Sequence, residues 1–358
     1  MSEEIGGFLM ASIKDVAKLA GVSVSTVSRV INNNPAISNE TRDKILKVIK
    51  ELNYSPNSMA QGLSNNRSYT ITLLINVDDE KSFYNPFFYE VMHGIEKIVY
   101  KNEYCLIVAN LKTMLKKEKV LDWLIKGKRT EGVILPSSII DSKMVKELKK
   151  NKIPFVSIGE PKDLREPISW VDINNRQGGE QATNCLLDKG YQKIAFVGLD
   201  DNKMFCRRRF EGYKSALEKN KHDFNQELVI ESGNSKEDGY HVMKKLLASG
   251  NKVDAVICAD NTLSVGVIKA IREKELPIPN EIGVVSFDNS QIAELLEPSI
   301  STVNIDVFEL GLQSANLLFR LMENPKASGQ EILISTNIEE RETTNFKKKK
   351  SHSEVQDE

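Results

Sequence analysis

The chain has 358 residues, 40% of them hydrophobic and 28% charged, with a formal net charge of −1, which excludes a wholly disordered protein and leaves room for two or three ordinary globular cores. No run approaches the roughly 18 apolar residues of a membrane span, and residues 1–10 lack the basic start and apolar run of a signal peptide. Cys105, Cys185, Cys206 and Cys258 form no Cys-x-x-Cys pair, as expected of a reduced, cytoplasmic protein.

The charge is unevenly spread. From Ser12 to Arg67 eight Lys or Arg stand against four acids, so this stretch is +4 and the remainder −5. A local surplus of this kind supplies the phosphate contacts that dominate affinity for DNA.

Residues 12–32 read as a helix-turn-helix. Ile13, Val16, Ala17 and Ala20 share one face, Gly21 can take the turn, and Val27, Val30 and Ile31 resume the apolar face. Ser12 and Ser23 are the expected N-caps, with Asp15 as a capping-box partner, leaving Val24, Ser25 and Thr26 as the exposed first turn of the second helix. Pro35 bars helix, and Ser38 can cap a third helix with Thr41, Ile45, Val48, Ile49 and Leu52 as its buried stripe.

Ser55 as cap and Pro56 at the first helical position then predict a short helix ending near Leu63. So few turns do not hold alone in water, and Gly62 weakens them by roughly 1 kcal/mol. This is a conditional hinge helix, folded when something packs on it. Residues 64–68 are a polar connector.

From Tyr69 short β-branched runs alternate with amphipathic helices. Strands are expected over 70–77, 105–109, 132–135 and 155–158, with helices over 87–101, 116–126 and 142–151. The alternation restarts at Trp170 with strands over 170–173, 194–198, 253–258 and 282–287 and helices over 177–189, 208–219, 238–248 and 263–274. The fold class expected is therefore a small all-α headpiece followed by an α/β core of two parallel-sheet subdomains. The expected domains are a headpiece over 10–54, hinge and linker over 55–68, a core over 69–342 and a disordered tail over 343–358. Within the core the subdomains span about 69–169 and 170–300, with the remainder crossing between them. Ligands of such sheets bind beyond the strands' carboxyl ends, so facing ends make a cleft.

Ile13-Lys14-Asp15-Val16-Ala17 with Val22-Ser23-x-x-Thr26-Val27-Ser28-Arg29-Val30 resembles the LacI/GalR family of bacterial transcription repressors. The resemblance extends through Tyr54-x-Pro56-Asn57-x-x-Ala60, Asn85-Pro86-Phe87-Phe88, Val171-Asp172-x-Asn174-x-x-Gly178, Arg209-x-x-Gly212-Tyr213 and Val285-x-Phe287-Asp288. It implies a repressor whose core, similar to periplasmic sugar-binding proteins, binds a small sugar-like effector and forms a homodimer on double-stranded operator DNA.

By that resemblance Val24, Ser25 and Arg29 take base-reading positions. Arg29 can fork onto guanine O6 and N7, and Val24 can meet a thymine methyl. Ser23, Thr26, Asn32, Tyr54 and Asn57 take phosphate-contacting or positioning sites. Leu63 matches a leucine wedged into the minor groove, its other reading being a core residue at a domain joint. Arg209 and Asp288 match effector contacts, and Asp260 sits where another polar contact is common. Carboxylates accept from sugar hydroxyls and a guanidinium donates paired bonds.

Phe87, Phe88 and Trp170 are candidates to stack on sugar faces, against a core reading for the phenylalanines, a turn for Asp288-Asn289 and a solvated face for Arg207 to Arg209. Residues 85–90 with Trp170 are similar to maltose-type repressors of Gram-positive bacteria. At Gly233-Asn234-Ser235 the acid and aromatic frequent in the family are missing, which leaves the effector's size open.

No dinucleotide-binding, P-loop, nucleophile-elbow or zinc-protease motif is present, and His93, His222, His241 and His352 lack ligand spacing, so neither an enzyme nor a metal or other cofactor is expected. Two other readings remain: a global catabolite regulator answering to a phosphorylated partner protein, and a pure sugar-binding protein.

Overall fold

The computed structural model describes residues 11–31, 34–54, 67–76, 86–112, 117–164, 166–250, 252–327 and 329–345. The chain divides into two compact units, Met1–Tyr69 and Thr70–Glu358. Asn32, Asn57, Leu63 and the expected hinge helix lie outside the described residues, as does the tail beyond Asn345.

In the first unit, helices α1 (Ile13–Ala20), α2 (Val24–Ile31) and α3 (Asn39–Glu51) enclose a small core of Val16, Ala17, Ala20, Val27, Val30, Ile45 and Val48. The start of α1 is set by a capping box. Ser12 Oγ accepts the Asp15 N–H at 3.4 Å while Asp15 Oδ2 accepts the Ser12 N–H at 2.8 Å and its hydroxyl at 2.7 Å, satisfying groups that a helix start leaves without partners. These bonds hold Asp15 below the usual carboxylate range. Gly21 ends α1 in the left-handed region, φ 66°, which a residue without a Cβ enters at no steric cost.

The second unit holds two six-stranded sheets. The first uses β1 (Thr70–Ile75), β2 (Cys105–Asn110), β3 (Gly132–Pro136), β4 (Phe155–Ile158), β5 (Trp170–Ile173) and the late strand β11 (Glu331–Ile334), in the order β11-β5-β4-β3-β1-β2. Its connecting helices are α4 (Pro86–Lys101), α5 (Lys117–Lys126) and α6 (Ser142–Lys150). The second uses β6 (Ile194–Leu199), β7 (Val229–Glu231), β8 (Ala255–Cys258), β9 (Gly283–Phe287), β10 (Ser301–Asn304) and β12 (Asn337–Glu339), in the order β12-β10-β9-β8-β6-β7. Around it run α7 (Asn175–Asp188), α8 (Met204–Lys219), α9 (Lys236–Ala248), α10 (Asn261–Glu273) and the short α11 (Gln291–Leu295). The β10–β12 pairing is antiparallel, and the other strand pairings are parallel.

The chain passes between the sheets three times: after β5, after β10 and between β11 and β12. Helix α12 (Val307–Glu323) follows the second passage and returns to the first sheet, where Leu310, Leu317, Leu318 and Leu321 share a core with Ile71, Ile134 and Val156.

Two expectations are corrected. The strand at 170–173 does not open the second sheet: Ser157 pairs with Trp170 and Ile158 with Val171, so β5 completes the first series, and the passage comes after Ile173 rather than before Trp170. All four residues of β5 are buried, and a strand covered on both faces carries no mark of the sheet it joins. The tail also begins later than 343. Thr343 and Thr344 are fully buried, Thr343 Oγ1 donating to Val284 O at 2.7 Å and accepting the Ser301 N–H at 2.8 Å. Such pairing lets a polar residue sit inside the fold.

Three core helices start two residues before the expected positions, because polar caps precede their apolar stripes. Asn174 caps α7, Ser235 with Asp238 forms a capping box on α9, and Asp260 caps α10.

Candidate functional site

The start of α2 in the first unit is polar and exposed. Ser23 Oγ accepts the Thr26 N–H at 3.1 Å and lies 2.8 Å from Thr26 Oγ1 and 2.7 Å from Ser25 Oγ, a small hydroxyl cluster over the start of α2. Val27 and Val30 turn inward, while Val24, Ser25 and Arg29 are exposed, Ser25 and Arg29 lying one turn apart. Tyr54 is half-buried, packed on the unit's core, with its N–H donated to Ile49 O. An apolar group, hydroxyls and a guanidinium on one exposed face match what a DNA major groove offers: methyls, acceptors and donors.

In the second unit the carboxyl ends of the two sheets face each other. Glu160, two residues past β4, receives two bonds from Arg208 of α8: Nε to Oε2 at 2.8 Å and Nη2 to Oε1 at 2.5 Å. Beside it, Lys162 Nζ donates to Asp201 O at 3.1 Å, past the end of β6. These contacts tie a loop after the first sheet's β4 to α8 and to the loop after β6.

Arg209, the next residue, points inward at 4% exposure. Its Nε donates to Asn175 Oδ1 at 2.9 Å and its Nη1 to Ala259 O at 2.6 Å, and Nη2 lies 3.6 Å from Asp288 Oδ1. The guanidinium stands 4.0 Å from the Phe287 ring centroid and 5.0 Å from that of Phe205. It is seated there by close helix packing. A Cβ on Gly179 of α7 would lie 2.0 Å from the Arg209 carbonyl oxygen, and one on Gly212 would lie 2.1 Å from that of Arg176, so only glycines let α7 and α8 approach this closely.

Asn175 extends the network back to the first sheet. Its Nδ2 donates to Asp172 Oδ1 at 3.3 Å, and the Asp172 carboxylate also accepts the Glu160 and Ile173 N–H groups. Burial pushes the Asp172 carboxyl above its ordinary pKa, opposed by these bonds and by Arg209. Asp288 is likewise pushed up by burial, with Arg209 opposing the shift and Asp260 adding to it. Its φ of 69° is left-handed, and Oδ1 is inaccessible and accepts no hydrogen bond of good geometry. A buried acceptor in that condition is costly until something donates to it. Asp260, half-buried, accepts the Thr262 N–H at 2.8 Å.

The three aromatic candidates separate. Phe87 and Phe88 lie in the first turn of α4; Phe87 is exposed, and Phe88 is half-buried against the first sheet's core. Trp170 is a core residue instead: it begins β5, at the opposite end of the strand from the cleft, packed with Leu124, Met144, Phe155 and Ile168. A large aromatic in a strand serves core and cleft alike by type, and the register decides.

Sequence reasoning missed Asn175, Phe205 and Phe287 as partners of Arg209. A signal existed for two of them: Phe205 is four residues before Arg209 on one helix, and Phe287 directly precedes Asp288. Among the described residues no group of three or more His, Cys, Asp or Glu could hold a metal ion, and no helix is long and apolar enough to cross a membrane.

Residues 12–57 match the family "Bacterial regulatory proteins, lacI family", and residues 183–344 match a periplasmic binding protein-like domain. The HTH-type transcriptional repressor PurR of Histophilus somni is 32% identical over 320 residues, covering 87% of this chain and 92% of that protein. The chain belongs to the lacI family of bacterial regulatory proteins. The ribose operon repressor of Haemophilus influenzae, of the same kind, is 31% identical over 342 residues, covering 93% and 98%. Among solved structures, the complex of the transcriptional regulator CelR with cellobiose superposes with a TM-score of 0.71 at 28% identity, covering 93% and 99%. As a lacI-family protein the chain is a DNA-binding transcriptional repressor with a small-molecule effector domain, which removes the pure sugar-binding reading.

Proposed function

We propose that this repressor is a cytoplasmic homodimer that binds a near-palindromic operator and releases or holds it according to a neutral sugar in the core cleft. It carries out no reaction of its own. In the headpiece, assigned to 10–54, Val24, Ser25 and Arg29 read base edges, while Ser23, Thr26, Asn32 and Tyr54, with Asn57 of the following segment, meet phosphates. Leu63 of the hinge segment, assigned to 55–68, wedges into the minor groove. In the cleft Asp288 and Asp260 accept sugar hydroxyls, Arg209 donates, and Phe87 and Phe88 border the site.

The observation that carries this reading is Asp288 Oδ1, an inaccessible carboxylate oxygen without a donor, 3.6 Å from an arginine whose other nitrogens are bound. The side chain as a whole is 29% exposed, and a sugar hydroxyl meets the carboxylate from that open side while Oδ1 stays toward Arg209. The ligand of CelR and the name of the ribose relative support the sugar class. Dimerisation finds support in the edge strand β2 and the neighbouring face of α4, where Tyr89, Met92, His93, Leu106 and Val108 line an apolar groove.

The test is a fluorescence-anisotropy titration of operator DNA, found by selection from random duplexes, against the protein with and without ribose, glucose, cellobiose and maltose. One of these sugars changes operator affinity at least tenfold. If none does, while a phosphorylated partner protein raises affinity, the catabolite-regulator reading replaces this one.

A further inference from the structure

Asp260 and Asp288 come from different loops, one after β8 and one after β9, yet the residues beside them are bonded to each other. Asn261 Nδ2 donates to Ser290 Oγ at 2.7 Å, so Asp260-Asn261 and Asp288-Asn289-Ser290 form a closed bracket around the two carboxylates. The second arm is held from the chain's far end. Arg341, past β12, donates from Nη2 to Asn289 Oδ1 at 2.6 Å and from Nη1 to Ile300 O and Thr302 Oγ1, both at 3.0 Å. Its Nη2 also lies 3.2 Å from Glu294 Oε1. The turn needs such support, because Asp288 holds a left-handed φ that a residue with a Cβ rarely adopts, and its own backbone bonds there are Asp288 N–H to Val303 O and Ser290 N–H to Asp288 O.

We propose that Asn261, Ser290, Asn289 and Arg341 are positioning residues that set the spacing and aim of Asp260 and Asp288, and so decide which arrangement of sugar hydroxyls the cleft accepts. None of the four needs to touch the ligand. A sugar's epimers differ in where a hydroxyl stands, so two carboxylates at fixed spacing discriminate between them and two carboxylates on loose loops do not. The inference rests on the reading of Asp260 and Asp288 as effector contacts.

The test uses the full chain and three variants: Ser290→Ala, which removes the acceptor, Ser290→Thr, which keeps a hydroxyl, and Arg341→Gln. Hydrogen exchange of the amides at 288–290 is followed first, without ligand. In Ser290→Ala and Arg341→Gln it speeds at least tenfold while β8 and β9 keep their protection, and Ser290→Thr stays within threefold of the parent. Calorimetric titration with glucose, galactose, ribose and cellobiose follows. The preferred sugar binds at least tenfold more weakly to Ser290→Ala and Arg341→Gln, with its advantage over the other sugars reduced, and operator affinity without sugar stays within twofold.

Unchanged exchange at 288–290 overturns the bracket. Faster exchange with unchanged sugar affinity and preference overturns the positioning role and leaves the bracket as structure alone. If the parent chain binds none of the four sugars, the effector reading fails and the positioning role fails with it, whatever the exchange data show.

Discussion

The two units treat their polar chemistry in opposite ways. The headpiece keeps Ser25 and Arg29 exposed above a core of seven small and medium residues, whereas the core unit draws Arg209 to 4% exposure and engages its three nitrogens with its own chain. A surface that reads DNA takes its counter-charges from the phosphates it meets, so its cations stay available. A cleft that receives a small, uncharged ligand needs groups already aimed, and that requires burying charge and pairing it internally.

The sharpest break of this comparison sets Arg209→Leu beside Arg29→Leu. Removing Arg209 leaves the buried Asp172 and the half-buried Asp288 without their counter-charge and costs the core about 3–5 kcal/mol, read as a shift in its urea midpoint. Arg29→Leu changes headpiece stability by less than about 0.5 kcal/mol, as surface substitutions do, and its effect appears only as lost discrimination at one guanine. Equal destabilisation by the two would erase the distinction.

Gly179→Ala comes next. Its Cβ would meet the Arg209 backbone, and overpacking of this kind costs roughly 1–3 kcal/mol. Calorimetry should place the loss in the core transition, with the methyl resonances of Val16 and Val27 unmoved.

Ser12→Ala should lower headpiece stability by about 1 kcal/mol through loss of the cap. Its pH dependence separates the units further. The Ser12 bonds hold Asp15 below its ordinary pKa, so their contribution is present above that value and disappears as pH falls through the folded-state pKa. The gap between parent and Ser12→Ala in chemical denaturation should therefore close on acidification. Asp172 and Asp288, pushed up by burial, act with the other sign: the penalty for ionising them when folded is full above their raised pKa and is relieved as pH falls toward the ordinary value.

The smallest effect belongs to Glu160→Gln. Its partner Arg208 is 38% exposed along the side chain, so the loss stays below about 1 kcal/mol. Faster hydrogen exchange at 160–162 and 201–202, with little change in the denaturation midpoint, would identify the pair as a clasp on the cleft rather than a prop of the fold.

Much of the architecture was legible because its signals are local. Four of the strands, β1, β3, β6 and β8, are runs of apolar or β-branched residues without a polar interruption, and the helix-turn-helix writes its caps and turn directly. What could not be read is pairing at a distance. The run at 170–173 joins the first sheet, Trp170 faces its core, and Thr343 and Thr344 lie buried because Ser301 and Val284 stand opposite them, more than forty residues away. The same limit applies in the cleft. Arg209 and Asp288 were named by resemblance and the fold does bring them together, while Asn175 is bonded to both Arg209 and Asp172 and carries no sequence mark of that double duty.

The three passages between the sheets also govern how the chain is made. All of β1 to β5 has left the ribosome once Ile173 emerges, yet the core that Ile71, Ile134 and Val156 share with α4 is completed only by α12, well over a hundred residues later. At ~5–20 residues per second that is on the order of ten seconds. During that interval the nascent first sheet shows apolar surface and an unpaired β5 edge, the kind of surface that invites aggregation until the later segments cover it.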